Sequence, residues 1–130
     1  MNRPIHFEIM ANEPMRAIKF YGDMFGWKFE QWGTNDYWLV STAPKESKDI
    51  GINGGLMPRK GPVPKEGEGM AGYVCTIDVA NLDAKVAEVV AAGGSLAVPK
   101  SAIPDMAWLA YCKDTEGNTF GLFQEDKTAK

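Results

Sequence analysis

The sequence predicts an α+β fold made of two successive copies of one strand–helix–strands unit. Three observations predict it. Twice, a stretch of strand-like character leads into apolar residues at helical spacing that stop at glycine: residues 5–10 lead to Gly26, and residues 73–79 lead to Gly93-Gly94. Each helix is followed by three further strand-like stretches. Between the copies, Pro58 to Gly69 is rich in Pro, Gly and charge and has no periodicity, which reads as a linker or flap. The expected layout is one domain over 1–130, with a first module at about 4–57, a linker at 58–69 and a second module at about 70–126.

The elements follow in order. Ile5-His6-Phe7-Glu8-Ile9-Met10 alternates apolar and polar, the period of a half-buried strand. Asn12 is a suitable helix N-cap and Pro14 fits the first turn. Ala17, Ile18, Tyr21, Met24 and Phe25 then recur at helical spacing. Trp27–Trp32 and Tyr37–Ser41 read as strands around a Thr34-Asn35-Asp36 turn, and Ile50–Met57 as a strand with two glycines inside it. In the second copy Asn81 is the N-cap, and Leu82, Val86, Val89 and Val90 form the helical stripe. Short strands are expected near 96–98, 108–112 and 119–124. Asp114 to Asn118 is a turn in which Gly117 is free to take positive φ. The polar tail after Asp126 is expected to fray.

The two helix ends, Gly26 and Gly93, are 67 residues apart. The same offset carries His6 onto Tyr73 and Gly54 onto Gly121. Units of this kind leave one face of a four-stranded sheet without a helix. Two such sheets side by side are expected to curl into an open eight-stranded trough with the helices outside and a small ligand on the concave face.

Composition excludes several classes. A net charge of −3 with scattered Lys and Arg gives no electrostatic footprint for nucleic acid. Arg59, Lys60 and Lys65 are interrupted by Glu66 and Glu68 and read as a solvated loop. No apolar run approaches the roughly 18 residues of a membrane span, and no secretory leader precedes the first strand, so a cytoplasmic location is expected. Cys75 and Cys112 match no zinc spacing and are expected to be two buried thiols. No nucleophile elbow, calcium loop or phosphate-cradling glycine loop is present.

His6-Phe7-Glu8-Ile9, Ala17-Ile18-Lys19-Phe20-Tyr21 and Phe25-Gly26-Trp27 together resemble the first module of the vicinal-oxygen-chelate superfamily. That group includes glyoxalase I, the bleomycin-resistance proteins and the extradiol dioxygenases. Gly93-Gly94, Tyr111 and the Asp114–Asn118 turn resemble its second module. The resemblance implies two βαβββ modules and a homodimer. For its metalloenzymes it implies His or Glu ligands on the first and last strands of each module, holding a divalent metal that chelates neighbouring substrate oxygens. Carried over, the first ligand matches His6. The second falls at Gly54 or Gly55, the third at Tyr73 (or Val74 if the alignment slips by one) and the fourth at Gly121. One such ligand is too few, since a tight site needs about three. No cofactor is therefore expected, and a divalent metal on His6 with Glu8 beside it is the alternative.

His6 reads as a remnant bonded to Glu8 or to backbone, as a ligand-binding group or general base, or as a metal ligand. Trp38, Tyr73, Trp108 and Tyr111 lie on predicted strands, where each either packs under a helix or lines the trough against a flat apolar ligand. The candidate ligand-binding residues are thus His6, Glu8, Trp38, Tyr73, Trp108 and Tyr111. Gly54, Gly55 and Gly121 mark either close backbone approach or room in the pocket. The linker is expected to border the trough and gate it. The leading expectation is a metal-free protein, similar to the glyoxalase and bleomycin-resistance branch, that binds a small apolar or aromatic molecule. A metal-dependent lyase or dioxygenase and a module serving a partner protein are the alternatives.

Overall fold

A computed structural model of the chain describes residues 1–65, 68, 72–115 and 118–130. Its elements, in chain order, are β1 (Pro4–Ala11), α1 (Pro14–Phe25), β2 (Lys28–Gln31), β3 (Trp38–Ser41), β4 (Gly54–Pro58), β5 (Val74–Asp78), α2 (Leu82–Ala91), β6 (Ser95–Ile103), β7 (Ala107–Lys113) and β8 (Thr119–Glu125). The α+β class and the twofold strand–helix–three-strand order are as the sequence predicts. The chain divides into a unit of His6–Tyr73 and a unit of Val74–Lys130 joined by Met1–Ile5. In the second unit the chain start is held by Asp78, whose carbonyl accepts from Asn2 and whose N–H donates to Arg3.

In the His6–Tyr73 unit the strands run in the order β2-β3-β4-β1, with β1 parallel to β4 and the other pairs antiparallel. Phe7, Ile9, Ala11, Val40 and Leu56 form its core, with Ala17, Ile18, Tyr21, Trp27, Phe29 and Trp38 packed against them. The odd residues of β1 thus face α1. In the other unit the order is β5-β8-β7-β6, again with first and last strands parallel. Its core is Val79, Leu82, Ala110, Cys112 and Leu122 under α2.

Several expectations are corrected. Asn12 does not cap α1: Pro14 occupies the start of the helix and fixes Glu13, one residue later, as the cap, with no side-chain bond. Asn12 instead receives the Arg59 guanidinium at 2.9 Å and donates to the Gly61 carbonyl. Asn81 does cap α2, accepting from Ala84 N–H at 2.9 Å. Gly93 (φ 96°) ends α2 with a 5→2 bond to Val90, and Gly94 adds a 6→1 bond to Val89. β4 begins at Gly54 rather than Ile50, whose side chain is fully exposed. β6 is three times the expected length. It is an edge strand with two register shifts, and these accommodate Pro99, which cannot donate to a ladder.

Cys112 is buried, and burial pushes its thiol up, but Cys75 is exposed, and both are free. The tail does not fray. Asp126 accepts from the Trp108 indole at 3.0 Å and from Thr128, the Ala129 carbonyl accepts from Asp105 N–H, and Ala129 is fully buried. Gly117 and part of the 58–69 linker lie outside the described residues. Among the described residues, no helix is long and apolar enough to cross a membrane.

Candidate functional site

The candidate site lies within the His6–Tyr73 unit, on the sheet face turned away from α1. Strand alternation sends Phe7, Ile9 and Ala11 to the core, and so places His6, Glu8 and Met10 on the other face. The register adds neighbours from the adjoining strands: Glu8 is level with Gly55, Gly55 with Leu39, and Met10 with Met57. Tyr37, two residues before Leu39, shares that face. Its ring reaches diagonally over Gly55, so that a Cβ on Gly55 would collide with the phenol. Its hydroxyl is hydrogen-bonded to His6 Nε2 at 2.8 Å.

Gly55 is therefore glycine because the space above it belongs to Tyr37. Gly54, on the α1 side, is glycine because a Cβ there would meet the Phe7 carbonyl and ring. Both glycines mark close approach, and neither leaves a vacancy. His6 is half-buried, and that burial holds its imidazole below the ordinary value of about 6.5, against the opposing pull of the Glu8 carboxylate. At neutral pH it is an uncharged ring bonded to a phenol, with a buried carboxylate two residues along the same strand face. Such a group can accept or donate one hydrogen bond and can exchange a proton near neutrality. Met10, Met57 and Leu39 supply apolar surface beside it.

Each of the other candidates is described within its own unit. Trp38 is level with Leu56 and packs into the α1 core. Tyr73 stacks on Phe7 with ring centroids 5.6 Å apart and bonds the Tyr21 hydroxyl at 2.5 Å. Burial and that bond push its phenol well above the ordinary range. Trp108 packs under α2 with Lys100 over its ring, 4.6 Å from the centroid. Tyr111 is level with Gly121 on the face away from α2. Gly121 is in turn level with Thr76, whose hydroxyl would stand 2.7 Å from any Cβ added there. In its own unit, Gly121 matches Gly55 rather than Gly54, and Val74 matches His6 rather than Tyr73. The offset of 67 is thus one residue out on each strand, and a slip of one reverses the face.

The His/Glu set that the resemblance implies for a metal is not met. The places of the second and fourth ligands are filled by Tyr37 and Thr76, and Val74 stands at the third. Among the described residues, no three of His, Cys, Asp and Glu come together. Tyr37 was missed from sequence because its reach across two strands is a tertiary fact. The signal was the glycine it covers.

A family model described as the Glyoxalase/Bleomycin resistance protein/Dioxygenase superfamily matches residues 3–122. A glyoxylase-like domain-containing protein of Didymella fabae is 33% identical over 120 residues, covering 88% of each chain. Methylmalonyl-CoA epimerase of Mycobacterium tuberculosis superposes with a TM-score of 0.63 at 18% identity, over 95% of this chain and 87% of that one. A member of the same superfamily from Vibrio splendidus 12B01 gives 0.62 at 15% identity, over 94% and 97%. At such identities the two structures speak for the fold.

Proposed function

We propose that this chain, which belongs to the glyoxalase/bleomycin resistance protein/dioxygenase superfamily, binds a small apolar or aromatic molecule without a metal, anchored at the His6–Tyr37 pair. One observation carries the reading. Where a metalloenzyme of this fold is expected to present a second ligand, the phenol of Tyr37 covers Gly55 and bonds His6 instead. A neutral imidazole held through Nε2 by the phenol directs its other ring nitrogen at one hydrogen bond, and Leu39, Met10 and Met57 offer contact for an apolar body. The buried Glu8 beside His6 disfavours an anion at that point.

The test uses purified protein treated with chelator and analysed for Ni, Zn, Mn and Fe. Titration with phenol, read by tryptophan fluorescence and melting temperature, is expected to show saturable binding that restored metal does not change. Replacing His6 with Ala is expected to weaken it about tenfold, the worth of one well-made hydrogen bond to a buried group. Stoichiometric metal in the untreated protein, together with binding that returns only with that metal, would overturn the reading in favour of a metal-dependent lyase or dioxygenase.

A further inference from the structure

The loop between β3 and β4 borders an open hollow of about 580 Å³, within the roughly 300–1,000 Å³ of small-molecule sites. Ser41, Lys45, Asp49, Gly51 and Asn53 are among its lining residues. Two of its lining residues adjoin the strands of the His6 sheet: Ser41 ends β3 and Asn53 directly precedes β4. The parallel pairing of β1 and β4 starts at Phe7 and Gly54, so the chain enters β4 through Asn53 near the end of β1 that carries His6. Val40 is level with Gly54, so Ser41 stands at the same level on β3. Alternation along β1 and β3 puts His6 and Ser41 on the face away from α1, in the row next to Glu8 and Leu39. Ser41 lies two strands away from β1, roughly 10 Å across the sheet.

The polar groups there have a definite character. Asn53 Oδ1 already accepts from Thr42 N–H at 2.9 Å and from the Thr42 hydroxyl at 3.2 Å, so what remains to Asn53 is its amide donors. Ser41 adds a hydroxyl. Lys45 and Asp49 carry opposite charges, and Asp49 accepts from the Ser47 hydroxyl at 3.1 Å. This lining suits an uncharged group rich in hydroxyls or amides better than an ion.

We propose that the hollow is a tail subsite of the His6–Tyr37 site, and that the ligand joins an apolar or aromatic head to an uncharged, hydroxylated or amide-bearing tail. The head rests against Tyr37 and Leu39. The tail passes over Asn53 and Ser41 into the 42–53 loop, which makes that loop the specificity element. The proposal rests on the reading given under Proposed function.

Phenol and phenyl β-D-glucoside share a head and differ in the tail, so the ratio of their affinities reads the tail subsite alone. The intact protein is expected to bind the glucoside at least about tenfold more tightly than phenol, a modest gain for a site that hydrogen-bonds hydroxyls. Gly51→Trp is the obstructing variant. Gly51 lines the hollow, a Cβ there meets nothing within 4 Å and its φ lies outside the left-handed region, so a bulky indole is accommodated at the hollow's wall without backbone strain. In that variant the ratio is expected to fall to within about twofold of unity. Amide shifts of the unaltered protein give a second measurement: the glucoside is expected to perturb residues 41–53, and phenol to perturb only residues around His6 and Tyr37. A ratio unchanged by Gly51→Trp, or glucoside shifts that spare the loop, would overturn the tail subsite and leave the His6–Tyr37 reading standing. Binding of neither probe, or binding indifferent to His6→Ala, would overturn that reading and the subsite with it.

Discussion

Replacing Gly55 with Ala tests whether Tyr37 is locked over the strand. The φ of Gly55 is ordinary, so an added methyl brings no backbone strain. It would instead coincide with the phenol that bonds His6. The ring must swing away, which costs about 1–3 kcal/mol of overpacking, and the bond to His6 is lost, at about 1 kcal/mol. Together these give about 2–4 kcal/mol, a sizeable share of the roughly 5–15 kcal/mol that holds a domain of this kind. Urea unfolding followed by tryptophan fluorescence reads the change directly. In a Tyr37→Ala background the obstacle is gone, and Gly55→Ala is expected to cost less than about 0.5 kcal/mol, or to stabilise by restricting the unfolded chain. In a Tyr37→Phe background the ring carbons still overlap the methyl, so the overpacking cost persists. The coupling between Gly55→Ala and Tyr37→Ala is therefore expected to exceed about 1.5 kcal/mol. Equal costs of Gly55→Ala in the native and Tyr37→Ala backgrounds would refute the packing on which the site is built.

Further outcomes follow from particular residues. His6 is the single histidine, so its ring protons titrate without overlap. Its NMR titration is expected to give a value below about 6.5, and Glu8→Gln, by removing the upward pull of the carboxylate, to lower it further. Because folding depresses this value, the unfolded chain takes up the proton first as pH falls. The stability tied to a neutral His6 is therefore whole above about pH 7 and declines from about 6.5 down through the folded value. His6→Gln is expected to lack that component, and an unshifted titration would contradict the burial argument. Asn81→Ala is expected to cost about 1 kcal/mol by uncapping α2. Asn12→Ala leaves the start of α1 as it is, loosens Arg59 and Gly61 instead, and is measured by amide exchange at those two residues.

Much of the fold was legible because it rests on local signals. Strand alternation at residues 5–10, the helical stripes, Asn81, and the glycines after each helix all act within a few residues. What failed were the readings that depend on a single step of register or on distant partners. Asn12 is as good a cap as Asn81 in isolation, but Pro14 sets the helix start one residue later. The offset of 67, taken from helix ends, was applied to strands whose spacing differs by one residue in opposite senses, and so paired His6 with Tyr73 and Gly121 with Gly54. Nothing local in the tail shows its order, because Ala129 and Asp126 find their partners at Asp105 and Trp108 across the β6–β7 turn. In the site, His6 and Glu8 were readable as face-mates, whereas Trp38 and Tyr73 were assignable only once the α1 side of each strand was known. Tyr37 carried no motif. Its trace in the sequence was the absent side chain at Gly55.

The central claim is that a small molecule binds at His6 and Tyr37 without a metal. Titrating chelator-treated protein with phenol, while following the His6 ring resonances, tests it most directly. A saturable shift of those resonances is expected, and in Tyr37→Phe a weaker affinity by about fivefold to tenfold, because His6 loses the hydrogen bond that fixes its ring. A His6 signal that phenol never moves, or that moves only after Ni, Zn, Mn or Fe is restored, would contradict it.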